Sequence, residues 1–298
     1  MEKEKFKANL SKFHDKYYKA LLLIPAILLL LSFVYLGVFY KQNGDFIHRD
    51  ISLTGGTSVT INEPLDSANL TLALSDKLEG LSVRNIYDIF TNEKKALIVE
   101  TKSDSDTTRV VLENYLGHEL NEDNSSFEFT GSALSQSFFR QLLIAIILAF
   151  VFMAIVVFII FRTLVPSAAV IISAFADIFM TLTVFNIFGM QMSTAGIVAF
   201  LMLIGYSVDT DILLTNRVLR RHEHSLNSRI YSAFKTGMTM TLTSLVAIAA
   251  ALLLVRSFSP VLASILTILV IGLVFDIFNT WITNASIIKW YALKKHGQ

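Results

Sequence analysis

The chain has 298 residues, of which 53% are hydrophobic and only 16% charged, with a mean hydropathy of +0.57 and a formal net charge of +1. A soluble domain is closer to a quarter charged, so the composition excludes an ordinary soluble globular protein and points to a membrane protein. Cysteine is absent, which excludes a disulfide framework, a thiolate metal site and a cysteine nucleophile.

Residues 1–19 form a basic leader with six Lys. Phe6, Leu10, Phe13 and Tyr17 repeat there at helical spacing, as in a segment lying on a membrane surface; a merely solvated leader fits equally. A bilayer core of ~30 Å needs ~20 apolar residues as helix. The first such span is 20–40, "ALLLIPAILLLLSFVYLGVFY". It is too long, and lacks the small-residue cleavage site, for a removed signal peptide. Pro25 inside it predicts a kink.

Residues 41–138 are too long for a connection and too patterned for disorder. "DISLTGGTSVTI" reads as a strand broken at Gly55 and Gly56. "DSANLTLALSDKLEG" reads as a helix capped by Asp66 or Ser67, with Gly80 just past its end. "SVRNIYDIF" and "KKALIVETK" alternate as a strand hairpin. "SDTTRVVLENYLGHEL" is helical and "SSFEFTGS" a last strand. The order is βαββαβ, the ferredoxin-like pattern. The segment holds 16 Asp plus Glu and 8 Lys plus Arg. An acidic face argues against nucleic acid and is compatible with extended polypeptide bound along a sheet edge; simple solubility of an exposed domain explains it as well. The Gly pair reads as a bulge or close backbone approach. With no Lys following, "GGT" is no phosphate loop.

Residues 139–298 hold five more spans, at 139–161, 165–188, 192–215, 237–255 and 260–288. The fold class is thus a polytopic α-helical membrane protein of six transmembrane helices, with an α+β domain between the first and second. Basic residues fall on one side: the leader, then Arg217, Arg220, Arg221, Arg229 and Lys235, then Lys289, Lys294 and Lys295. The positive-inside rule puts both termini in the cytoplasm and the 41–138 domain outside, in a cell membrane.

Four of the 24 acidic residues lie at membrane depth: Asp177, Asp209, Asp211 and Asp276. Each charge costs ~2.5–3.5 kcal/mol when lipid-exposed, so such groups face the bundle interior or stay protonated. A carboxyl poised between its two states is what a proton carrier needs. Asp209, ~12 Å from Arg217 along the helix, is the leading candidate, on one stripe with Leu201, Gly205, Ile212 and Asn216. Gly205 would let a helix or water chain come close. Asp211 is about 200° round the helix and faces other neighbours. Ser173, Asp177 and Thr181 recur on span three, and Asp276, Asn279, Thr280, Thr283 and Asn284 on span six. Span five opens with Thr236, Thr239 and Thr243 beside Lys235, a snorkelling anchor or a proton partner. Together these stripes predict one shared polar seam; interhelical hydrogen bonding alone is the plainer alternative.

The six spans, the domain after the first, and "GYSVD" followed by Arg217 in the fourth resemble SecF, the family that pairs with SecD in protein export, within the resistance-nodulation-division superfamily. "DISLTGGTSVTI" is similar to the family's D-F-x-G-G-T segment, and Gly131 in "GSALSQSFFRQ" to its Gly-x-x-L segment. Asp209 matches the Asp of the SecD motif. Bacterial SecF usually reads Asn-Asp-Thr where this chain has Asp209-Thr210-Asp211, and carries Arg near Lys235-Thr236; Asp-Thr-Asp points to archaeal members. The resemblance implies an accessory subunit acting with a SecD-like partner and the Sec channel on exported polypeptide, driven by protons through fourth-span carboxylates. No enzymatic activity and no cofactor are expected.

Two other readings stand beside it. Half-unit of a small-molecule exporter of the same superfamily is one; such permeases usually carry two copies, and no repeat occurs here. An intramembrane aspartyl protease would need two Asp on different helices facing each other, as Asp177 and Asp209 could, and typically a Gly-x-Gly-Asp segment whose second Gly is missing. His14, His48, His118, His222, His224 and His296 lie outside the spans without metal-ligand spacing, so no metal is expected.

Overall fold

The computed structural model describes residues 20–88, 91, 93–220 and 225–295. The leader's amphipathic pattern, His14, His222, His224 and His296 lie outside the described residues. Among those described, six helices are long and apolar enough to cross a membrane.

The first is α1, Leu23–Asn43. Pro25 falls in its first turn; residues 20 and 21 are also helical and Leu22 is a turn, so the helical path is interrupted three residues before the proline. Asp50 then caps a single helical turn, α2 (Ile51–Thr54), its side chain accepting from the Ser52 N–H. The expected strand here is therefore short: only β1, Gly56–Ile61, is extended. A side-chain acceptor five residues before the Gly pair makes the turn the better local choice.

The rest of the domain is α3 (Ser67–Leu74, capped by Asp66), β2 (Ser82–Tyr87), β3 (Lys94–Thr101), α4 (Ser105–Leu116) and β4 (Ser125–Thr130). The sheet is antiparallel in the order β2-β3-β1-β4, as βαββαβ predicts. Its helices cover one face, where Val59, Ile61, Leu97 and Val99 meet Leu70, Leu74 and Leu112, all fully buried. Asp104 caps α4 through the Thr107 N–H and hydroxyl, and these bonds hold its carboxyl below the usual range.

The glycine pair is a close approach. Gly55 has φ +83°, and a Cβ on it would lie 2.4 Å from the Ser132 Cα; one on Gly56 would lie 2.2 Å from the Thr101 carbonyl oxygen. Gly131, at φ −63° with open space around it, has no such constraint.

The remaining spans are α5 (Ser132–Phe161), α6 (Leu164–Ile187), α7 (Thr194–Arg220), α8 (Leu226–Val255), and a sixth from Pro260 to Lys295. The sixth comprises α9 (Pro260–Phe278), a π turn (Asn279–Asn284) and α10 (Ala285–Lys295). Half or more of α6 and α7 is buried, whereas α5 and α8 are largely exposed. Hydrogen bonds join the sheet domain to the bundle, besides the close approach of Gly55 to Ser132 of α5. The Tyr87 N–H bonds the Ser257 carbonyl in the α8–α9 turn, and residues 46–52 bond Asn186, Met192 and Thr194 at the α6–α7 turn.

Candidate functional site

The polar stripes of α6, α7 and the sixth span converge. Asp177, Asp211 and Asp276 are all fully buried, together with Ser173, Asn279, Thr280 and Asn284. Asp177 accepts from Ser207 Oγ at 2.6 Å and from Asn279 Nδ2 at 2.7 Å. Asp211 Oδ1 accepts from Asn284 Nδ2 at 2.7 Å and Thr280 Oγ1 at 2.8 Å. Thr280 Oγ1 also lies 3.2 Å from Asp276 Oδ1. The second carboxyl oxygens of Asp211 and Asp276, with Ser173 Oγ and Thr181 Oγ1, have no hydrogen-bond partner.

The π turn explains how one span serves two helices. In a π turn the residue five positions on returns to the same face. Asn279 and Asn284 are so related; the first reaches Asp177 on α6, the second Asp211 on α7.

Other candidates lie elsewhere. Asp209 is exposed, on the outer face of α7 with Gly205 and Tyr206. Beyond its chain neighbours and its own helix backbone, no described atom comes within 4 Å of where a Gly205 Cβ would be. Asp177 and Asp209 do not meet: the first is fully buried and the second exposed. The stripe on α8 does not join the seam either. Thr239 and Thr243 donate to the carbonyls one turn back, and with Lys235, Thr236, Met240 and Ser244 they line an open groove of about 670 Å³. Arg217 ties the end of α7 to the start of α8 by donating to the Ser232 carbonyl and Thr236 Oγ1. Among the described residues no group of His, Asp and Glu is arranged to hold a metal.

Two residues were missed in the sequence. Ser207 stands one turn before Asp211, and Thr215 one turn after. That i, i+4, i+8 spacing matches Ser173, Asp177 and Thr181 on α6 and could have revealed the pairing. Lys289, counted above among the basic residues that set the orientation, is 2% exposed. Its position near the chain's end gave no signal of burial.

Chemically, three carboxyls meet hydroxyl and amide donors away from solvent. Thr280 has one hydroxyl hydrogen but faces two carboxyl oxygens. Both contacts are hydrogen bonds only when one carboxyl is itself protonated and donates.

A family described as protein export membrane protein SecD/SecF, C-terminal, matches residues 112–294. The chain is 40% identical to the protein-export membrane protein SecF of Methanocaldococcus jannaschii, over 93% of this chain and 96% of that one. It is 34% identical to SecF of Pyrococcus furiosus, over 94% and 93%. Among solved structures, a translocon-associated SecDF from Thermus thermophilus superposes with a TM-score of 0.71 at 19% identity. The likeness, of fold alone, covers 93% of this chain and 38% of the SecDF chain.

Proposed function

The chain belongs to the SecF family of protein-export membrane proteins, and we propose that it assists late protein export by passing protons through Asp177, Asp211 and Asp276 while paired with a SecD-like subunit. The observation that carries the proton reading is the gathering of three fully buried carboxyls among hydroxyl and amide donors, Asp177 with Ser207 and Asn279, Asp211 and Asp276 with Thr280. Thr280 bridges two of them: its hydroxyl gives its hydrogen to one carboxylate as it takes the proton of the other carboxylic acid, and rotation about its C–O bond then resets it. Buried ionisable groups in a membrane bundle are costly and mark ion pathways.

The outer face of α7, with Gly205, Tyr206 and Asp209, and the groove beside Lys235 are the surfaces for the SecD-like subunit. An open small-residue position and an exposed carboxylate at membrane depth are stabilised by a second bundle. The sheet domain lies outside the cell membrane and handles emerging polypeptide delivered through the Sec channel. Arg220, Lys294 and Lys295 lie at the end of their helices away from that domain, which supports cytoplasmic termini.

The test is gradient-dependent export by membranes containing the chain and its partner. Collapse of the proton gradient, or Asp211→Asn, should reduce export at least tenfold. Undiminished export under both conditions would remove proton coupling from this reading.

A further inference from the structure

The segment 50–56 reaches from the sheet domain into the bundle. Ser52 Oγ donates to Asp50 Oδ1 at 2.6 Å and accepts from the Thr194 N–H at 2.9 Å and the Thr194 hydroxyl at 3.0 Å. Its one hydrogen and two lone pairs are all engaged. Thr194 is the first residue of α7, so the first amide of the helix bearing Asp211 is held by a residue from outside the bundle. Two more bonds fasten the strap: the Asp50 N–H to the Met192 carbonyl at 3.0 Å, and the Met192 N–H to the His48 carbonyl at 2.6 Å.

The next residue, Leu53, is fully buried in an apolar layer with Phe185, Met192, Phe200, Leu203 and Ile268. That layer stands between the carboxyls and the sheet domain. Phe185 lies two turns beyond Asp177 on α6, Leu203 one turn before Ser207 on α7, and Ile268 two turns before Asp276 on α9. It is tight: a Cβ on Gly272 would lie 2.5 Å from Leu203 Cδ1. At its far end the segment presses Gly55 against the Ser132 backbone and enters β1, an inner strand of the sheet.

We infer that residues 50–56 are the domain-side gate of the carboxyl cluster: a shift of the sheet draws Ser52 off Thr194 and Leu53 out of the apolar layer, opening a path to Asp177, Asp211 and Asp276. The inference rests on the proton reading for the ion that passes, but not for the movement itself. The latch is weakly set. Burial raises the Asp50 carboxyl above its ordinary range, Ser52 pulls it back down, Glu100 adds to the rise and Arg84 opposes it. The hydrogen bonds of Asp50 and Ser52 and the packing of Leu53 into the apolar layer close the route.

The absence of cysteine makes the test clean. Thr181 is fully buried between the layer and Asp177, and its hydroxyl has no partner, so Thr181→Cys is a near-isosteric reporter. The chain and its partner are reconstituted in liposomes, and a membrane-impermeant methanethiosulfonate is added on the sheet-domain side. Adding Ser52→Ala or Leu53→Ala should speed labelling at least tenfold. Rates within twofold of the parent in both would overturn the gate.

A second measurement needs no destabilised variant. Ser52 Oγ and Thr194 Oγ1 are 3.0 Å apart, within reach of a disulfide after a small shift. In a Ser52→Cys, Thr194→Cys chain, oxidation should reduce export at least tenfold and a reductant should restore it. Full export by the cross-linked form would overturn the gate. If export proves indifferent to the gradient and to Asp211→Asn, proton coupling falls, and the labelling rates still decide the gate.

Discussion

Asp209 and Asp211, two residues apart on α7, face opposite ways: Asp211 is fully buried against Thr280 and Asn284, while Asp209 looks out beside Gly205. A separation of about 200° round an α-helix produces this. One carboxyl therefore belongs to the bundle of this chain and the other to whatever packs on it.

Asp211→Asn should abolish gradient-dependent export while the protein still folds, because the amide keeps a hydrogen-bonding oxygen but carries no exchangeable acid proton. Asp209→Asn should leave thermal unfolding within about 0.5 kcal/mol of the parent. Its effect should appear in co-purification of the partner. Loss of export in Asp209→Asn with full activity in Asp211→Asn would return the relay to Asp209.

Thr280→Val removes the hydroxyl between two buried carboxyls, which strands Asp276 Oδ1 and leaves Asp211 Oδ1 with Asn284 alone. The expected loss is about 1–3 kcal/mol of stability, read by thermal unfolding in detergent. Thr280→Ser, which keeps the hydroxyl, should lose under about 1.5 kcal/mol.

Gly55→Ala combines a left-handed φ with a collision against the Ser132 backbone, and should cost about 2–4 kcal/mol, seen as lost yield of folded protein. Gly205→Ala should raise helix stability by up to about 1 kcal/mol and weaken partner binding. An unchanged yield for Gly55→Ala would mean that the segment relaxes freely.

Two carboxyls of the sheet domain should give opposite pH slopes. Asp50 titrates above its unfolded value, so the folded state bears a penalty at neutral pH that fades as pH falls through the raised value. Asp50→Asn, which still accepts from Ser52, should match or exceed the parent's unfolding temperature at pH 7, the advantage shrinking on acidification. Asp104 titrates below its unfolded value, so its contribution is present at neutral pH and lost as pH falls through the lowered value. Asp104→Ala should therefore be less stable than the parent at pH 7, with the gap closing in acid.

The six spans and the βαββαβ domain were legible because their signals are local. Apolar runs set the helices, alternation set the strands, and Asp66 marked a helix start by its own chemistry, although that helix stops at Leu74, six residues before the Gly80 expected to end it. The three Asp at the centre were legible as candidates because a charge among apolar residues is conspicuous. What the order of residues could not settle was which stripes face each other. Periodicity places Asp209 and Asp211 on opposite faces but does not say which face meets α6. That was decided by packing: small and apolar residues on one side of α7 fit α6 and α9, the π turn brought Asn279 and Asn284 to two helices at once, and the stripe of α8 was left outside. The strap from Asp50 to Leu53 was hidden for the same reason. Its partners, Thr194 and Leu203, lie about 140 residues away, and only the folded chain brings them together.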